Sequence, residues 1–200
     1  MKFTGLKIPG VVLVEPRVFG DDRGYFIETY HAQRYAGAGV TRPFVQDNHS
    51  HSNKRGVLRG LHSQLHHPQG KLIHVLRGEI WDVAVDIRRG SPTFGAWVGV
   101  TLSSENHHQL YVPEGCLHGF VVVSEMADVM YKCTDLYNAK DEVGVIWNDP
   151  TFNIAWPVER PLLSPKDEKL PDFASLAPDR IPAFQAVALD IAANQPTIRP

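Results

Sequence analysis

Arg59-Gly60-Leu61-His62, followed nine residues later by Lys71-Leu72-Ile73-His74-Val75, brings an arginine, a histidine and a lysine to the head of a run that alternates like a half-buried strand. Three such side chains can converge on one small anionic ligand, with the histidine free to move a proton. Pro113-Glu114-Gly115-Cys116-Leu117-His118 delivers a second histidine through a turn into the apolar run Gly119-Phe120-Val121-Val122-Val123. Taken singly, these residue types describe a solvated surface as readily as a pocket. Their repeated placement where turns enter apolar strands is what suggests a site.

The elements that must carry them are short segments rich in Val, Ile, Tyr, Phe and Trp between turn signals, which predict an all-β sandwich or barrel. Val11–Pro16 and Tyr25–Tyr30 read as strands separated by the turn Gly20-Asp21-Asp22-Arg23-Gly24, and a short helix is expected from His31 to Ala36, ended by Gly37. Phe44–Asn48 and Val57–Arg59 follow as short strands. The clearest alternation is Ile80–Ile87, where Trp81, Val83, Val85 and Ile87 share one face and Asp82 and Asp86 the other. Trp97–Leu102, Gln109–Val112, Val129–Thr134 and Val143–Trp147 continue the series, and in the third of these Tyr131 shares a face with Val129 and Cys133. Beyond Pro150, Pro157, Pro161 and Pro165 the chain reads as irregular. Phe184, Val187, Ala188, Ile191 and Ala192 recur at helical spacing, so we expect one domain over residues 1–176 and a tail over 177–200, helical or frayed.

Composition narrows the function classes. With 200 residues, a formal charge of −2 and no run of lysines or arginines, the chain lacks the basic footprint of a nucleic-acid-binding protein. No apolar stretch approaches the ~20 residues of a membrane helix, and Met1-Lys2-Phe3-Thr4-Gly5 does not begin a signal peptide, so a cytoplasmic protein is expected. Cys116 and Cys133 are the only cysteines; they read as small buried hydrophobes of a reducing compartment, at a spacing that matches no zinc motif.

Pro113, Gly115 and His118 reproduce the second half-motif of the cupin double-stranded β-helix, which the chain resembles at that point. Metal-dependent cupins add a His-x-His pair and a glutamate. The corresponding stretch here is His62-Ser63-Gln64, which lacks the second histidine, so the metal set is incomplete. His49-Ser50-His51 has the spacing to place two imidazoles on one strand face, but reads more simply as a polar loop before Lys54 and Arg55. The segments Glu15–Gly24, Val45–Ser50, Val57–His62, Pro113–Gly115, His118–Phe120, Tyr131–Thr134, Ile146–Asp149 and Leu163–Asp167 resemble, in order, those of the dTDP-4-dehydrorhamnose 3,5-epimerases over about residues 1 to 175.

That resemblance implies a cofactor-free cupin jelly roll in which His62 is the general base aided by Asp167, Tyr131 the general acid, and Lys71 the cation at the enolate oxygen. It places Arg23, Glu28, Gln46, Asp47, Asn48, Arg59, His118, Glu142 and Lys166 at the nucleotide sugar, with Phe19 and Tyr137 as further candidates. It also implies a homodimer in which N-terminal strands cross, so that Phe19, Arg23 and Glu28 complete the neighbour's pocket. The chemistry is coherent on its own terms. In a dTDP-4-keto-6-deoxy-hexose the C3 and C5 protons both lie α to the carbonyl, and one base and one acid on opposite faces of the ring suffice to invert either carbon. Neither a metal nor a redox cofactor is required. Ser63, where many relatives carry an aromatic, and the loop histidines His66 and His67 depart from the family pattern, and they keep two alternatives open: inversion at C3 alone, or a sugar-nucleotide-binding cupin without activity. A metal-dependent cupin using His62, His118 and one of His66, His67 or His74 is the remaining rival.

Overall fold

The structure is a computed structural model that describes residues 1–185. Two long strands, β7 (Lys71–Asp86) and β10 (Cys116–Cys133), pair antiparallel with each other along most of their length and organise the fold. Each belongs to two sheets. Near its start β7 pairs with β9 (Gln109–Val112), which pairs with β2 (Val12–Glu15) and through it β1 (Lys2–Gly5), while the end of β10 pairs with β5 (Gln46–Ser52). In the other half β7 pairs with β8 (Trp97–Ser103), and the start of β10 pairs with β6 (Leu58–Gln64), whose far edge carries the short β11 (Glu142–Gly144).

Side chains of both halves meet in one buried cluster. Ile73, Val75, Leu110, Val112 and Val129 come from the first sheet, and Ile80, Ala84, Val98, Leu102, Phe120 and Val122 from the second. Two antiparallel sheets closed over a shared interior make the jelly roll expected from the sequence. The outer faces are covered as well. Val83, Val85, Leu117 and Trp81 pack under Val145, Phe152, Ile154, Trp156 and Phe173, while Val12, Val14, Leu72 and Tyr111 pack under Tyr35, Phe3 and Tyr30.

One feature of the long strands was not visible in their alternation. In β7 the interior positions are the odd-numbered Ile73 and Val75 and then the even-numbered Ile80 and Ala84; in β10 they run Phe120, Val122, then Val129, Tyr131. Register shifts between Val122 and Ala127 and again between Asp128 and Val129 cause the change of phase. Gly78, opposite Ala127, has φ 78°, and a Cβ there would collide with the Met126 carbonyl. The Ser124 hydroxyl closes the bulge, accepting from the Glu79 N–H at 2.8 Å and donating to the Met126 carbonyl at 2.6 Å.

Most expected elements are present with shifted ends. The helix α1 spans Ala32–Gly37. Between the first two expected strands the chain forms a separate hairpin of β3 (Val18–Asp21) with β4 (Gly24–Ile27), because Val18-Phe19-Gly20-Asp21 is itself a strand. Lys71–Val75 and Ile80–Asp86 are one strand, as are Cys116–Val123 and Val129–Cys133. The expected terminal helix falls almost wholly on residues 186–200, outside those described.

Candidate active site

His62 enters the interior from β6. The strand can approach β10 this closely because Gly60, at φ 121°, lies where a Cβ would come within 2.6 Å of Gly119 Cα and 2.8 Å of the His118 carbonyl. His62 Nε2 is 2.7 Å from Asp167 Oδ1. Asp167 begins a 3₁₀ turn, Asp167–Lys169, and is buried. Burial would raise its carboxyl, but hydrogen bonds and charge from His62, with donors from Ser164 and the Gly60 backbone, outweigh it and hold the group below the usual carboxylate range. Asp167 therefore stays ionised and accepts the Nε2 hydrogen, which leaves Nδ1 as the lone pair of the neutral ring. A second carboxylate, Glu142 Oε1, stands 3.9 Å from the same Nε2.

The opposing sheet supplies the partners. Tyr131 projects from the end of β10 and Lys71 from the start of β7, both at interior positions paired across the same ladder. Burial, reinforced by Cys133, raises the Tyr131 phenol, against a smaller lowering by Arg59, so the hydroxyl keeps its proton at neutral pH. Burial lowers the Lys71 ammonium, with Cys133, Glu142 and Glu114 offsetting part of the effect.

His62, Lys71 and Tyr131 form the shared wall of two adjoining cavities. One, of about 300 Å³, is lined further by Gln46, Asn48, Ser63, Gln64, Gln69, Tyr137 and Glu142. The other, of about 480 Å³, is lined further by Ser50, Arg59, His118, Phe120, Ser164, Lys166 and Asp167 among others. Glu142 ties the rim together, accepting from the Tyr137 hydroxyl at 3.0 Å and from Lys166 Nζ at 2.7 Å.

Eleven of the residues singled out in the sequence thus meet in one place: Gln46, Asn48, Arg59, His62, Lys71, His118, Tyr131, Tyr137, Glu142, Lys166 and Asp167. Four do not. Asp47 lies on the other face of β5 from Gln46 and Asn48, exposed and paired with Lys132 at 3.0 Å, as strand alternation requires. Phe19 and Arg23 sit on the β3–β4 hairpin, where Arg23 Nε bonds Asp21 at 3.1 Å, and Glu28 just beyond it pairs with Arg34 at 2.6 Å. Within one chain none of the four lines the cavity.

Asp82 was not singled out as functional. It is fully buried at an interior position of β7 and bonds His118 Nε2 through both oxygens, at 2.9 and 3.0 Å. Burial raises its carboxyl, against the lowering effect of His118. The available signal was an acidic residue inside a strand apolar enough to be covered on both faces. The histidines that the metal readings add to His62 and His118 lie elsewhere. His74 follows Leu72 onto the outer face, where Lys132 and Asp47 act on it, and the His66 and His67 backbone N–H groups bond Asp141. His49 and His51 point outward and share Asp128, at 3.2 and 2.8 Å.

A base held by a carboxylate, with a protonated phenol and an ammonium on the facing wall, can remove a proton α to a carbonyl, hold the enolate and return a proton to the other face. The comparisons with known proteins agree. A sequence model of the dTDP-4-dehydrorhamnose 3,5-epimerases matches residues 5–175. A Pseudomonas aeruginosa protein named dTDP-4-dehydrorhamnose 3,5-epimerase is 55% identical over 176 residues, covering 87% of this chain and 97% of the relative. The crystal structure of a Legionella pneumophila dTDP-6-deoxy-D-glucose-3,5-epimerase in complex with dTDP-4-keto-L-rhamnose is 49% identical with a TM-score of 0.89, covering 92% of this chain and 99% of that one. More distantly, a 3′-monoepimerase from Streptomyces bikiniensis in complex with dTDP-quinovose is 35% identical with a TM-score of 0.82, over 90% of this chain and 93% of that one. The chain belongs to the dTDP-4-dehydrorhamnose 3,5-epimerase family.

Proposed function

We propose that this protein converts dTDP-4-dehydro-6-deoxy-D-glucose to dTDP-4-dehydro-L-rhamnose by inverting C3 and C5, in the biosynthesis of dTDP-rhamnose. The observation that carries the reading is the placement of His62 on one sheet and Tyr131 on the other, facing the same cavity with Lys71 beside them. His62 takes the proton from the carbon α to the carbonyl, and the electron pair moves to the C4 oxygen. Lys71 stabilises that oxyanion, as does His118, which Asp82 holds in place; one preorganised donor of this kind is worth on the order of 3 kcal/mol. Tyr131 then delivers a proton to the opposite face. The imidazolium releases its proton to solvent, the phenolate regains one, and the cycle repeats at the second carbon. Arg59 and Lys166 supply the cations a diphosphate requires.

The chain acts as a homodimer in this reading. Val18, Phe19, Tyr25 and Phe26 of the hairpin are 43, 49, 64 and 68% exposed among the described residues, an apolar surface. Laid on a second copy, the hairpin would bring Phe19, Arg23 and Glu28 to the partner's cavity. Cys116 and Cys133 are free and buried, which suits a reducing compartment, and we place the enzyme in the cytoplasm.

Incubation with dTDP-4-dehydro-6-deoxy-D-glucose in D₂O tests the proposal. Deuterium is expected at both C3 and C5. The greater identity to relatives named 3,5-epimerases than to the monoepimerase favours both carbons. Label at C3 alone would reassign the protein to single inversion, and no label would leave only binding.

A further inference from the structure

Residues 177–185 lie beyond the span matched by the family, yet they are tied to the site. At one end the segment is anchored to the corner after β7. Arg89 N–H bonds the Pro182 carbonyl at 2.7 Å, Phe184 N–H bonds the Arg89 carbonyl at 3.0 Å, and the Arg88 guanidinium lies 4.9 Å from the centre of the Phe184 ring. Arg88 is itself fixed by buried Asp86, at 2.8 Å. At the other end Arg180 Nη2 donates to the backbone carbonyl of Glu142 at 2.7 Å.

That carbonyl is exposed to such a donor for a topological reason. β11 is three residues long and among the described residues pairs only with β6, so its far edge has no strand partner there. Leu65 N–H bonds the Asp141 carbonyl, and Val145 exchanges bonds with Leu61, so the alternation of the ladder turns the Glu142 carbonyl to the free edge. A charged donor there gives the free edge of β11 a partner opposite β6.

We infer that Arg180 is a positioning residue: it clamps the free edge of β11 and so sets the Glu142 carboxylate, which holds Tyr137 and Lys166 and stands beside His62 at the cavity rim. The inference rests on the epimerase reading given above. A displaced Glu142 would release the two rim side chains together and weaken substrate binding, with less effect on the proton transfers made by His62 and Tyr131.

The test is a kinetic cycle on the full-length chain, with the natural chain run in parallel. Arg180→Ala should raise KM roughly ten-fold, about 1.4 kcal/mol, with kcat within about two-fold, the pattern of lost uniform binding. Arg180→Lys, which still offers a charged donor, should recover most of the loss. In a Glu142→Gln background Arg180→Ala should change KM less than two-fold, because the group it positions has been altered. Unchanged kinetics in Arg180→Ala would overturn the inference alone. So would an equal effect in both backgrounds, or a lower kcat at constant KM, which would mean only a smaller folded fraction. Should Arg180→Ala not fold, Arg180→Gln and Arg180→Lys are read by the same split. A natural chain that neither turns over nor exchanges hydrogen would overturn the epimerase reading and this inference with it.

Discussion

Replacing Asp167 by asparagine keeps the shape of the His62 partner and removes its charge. When His62 accepts the substrate proton it becomes an imidazolium flanked by two carboxylates, Asp167 at 2.7 Å and Glu142 at 3.9 Å. With an effective dielectric of about 20, Coulomb's law gives about 6 kcal/mol for the nearer, while the charge of the farther is already paired with Lys166. The His62 side chain is 29% exposed, so water in the cavity screens part of the attraction. A net loss of about 3 kcal/mol follows for Asp167→Asn, or roughly 10²-fold in kcat. An asparagine amide that turned its N–H to Nε2 would also move the ring hydrogen to Nδ1 and remove the free lone pair, deepening the loss. The assay is deuterium wash-in at C3 and C5 by NMR, with KM measured alongside. Both rates should fall together, with KM within about three-fold. A wash-in rate within about three-fold of the natural enzyme would refute the base assignment. A fall at one carbon alone would refute the idea that one base serves both.

The depressed ammonium of Lys71 and the raised phenol of Tyr131 assign the alkaline limb of kcat/KM to Lys71, below the usual lysine value of 10.5. Lys71→Arg should move that limb upward in a pH-rate profile, because guanidinium keeps its proton. Asp86 accepts from Arg88, Ser91 and Thr93, and although burial raises its carboxyl these bonds hold it below the usual range. Asp86→Asn should cost about 3–5 kcal/mol in denaturant unfolding at neutral pH. Since the folded value is depressed, that contribution exists above the unfolded value of about 3.9 and is lost as pH falls through the lower folded one, so the gap between the two proteins should narrow below about pH 4. Gly78→Ala should lower stability by about 3 kcal/mol and Tm by roughly 6–12 °C, from backbone strain at φ 78° and the clash with Met126.

Local signals carried much of the architecture. Alternation placed Trp81, Val83 and Val85 on one face, and Tyr131 with Val129 and Cys133, and both groupings hold in the structure. What alternation could not report was its own reversal. Between Lys71 and Asp82, and between His118 and Tyr131, the separation is odd, so an unbroken strand would point the members of each pair to opposite faces; all four nonetheless reach the interior, since the bulge at Ser124–Met126 shifts the phase. The pairing of His62 with Asp167 spans 105 residues and left no trace in spacing, so it came from the family resemblance alone. Asp47 shows the converse limit. A motif copied residue by residue, Gln46-Asp47-Asn48, contains a member that strand geometry turns outward.

The same change of phase explains how so small a barrel hosts chemistry on two faces of a sugar ring. A strand whose halves kept one phase would present either His118 or Tyr131 to the interior, never both, and β7 would likewise offer Lys71 or Asp82. Because both long strands shift at the same level, each contributes one side chain to the wall that holds His62 and one to the wall that faces it. The environments then diverge with the walls. On the side of His62 stands the ionised carboxylate of Asp167, which accepts the ring hydrogen. On the side of Tyr131 burial, reinforced by Cys133, keeps the phenol protonated until an enolate needs its hydrogen. A carboxylate-held imidazole on one wall and a protonated phenol on the other give the base and the acid distinct roles before substrate arrives. Direction of transfer follows from which wall each strand half belongs to.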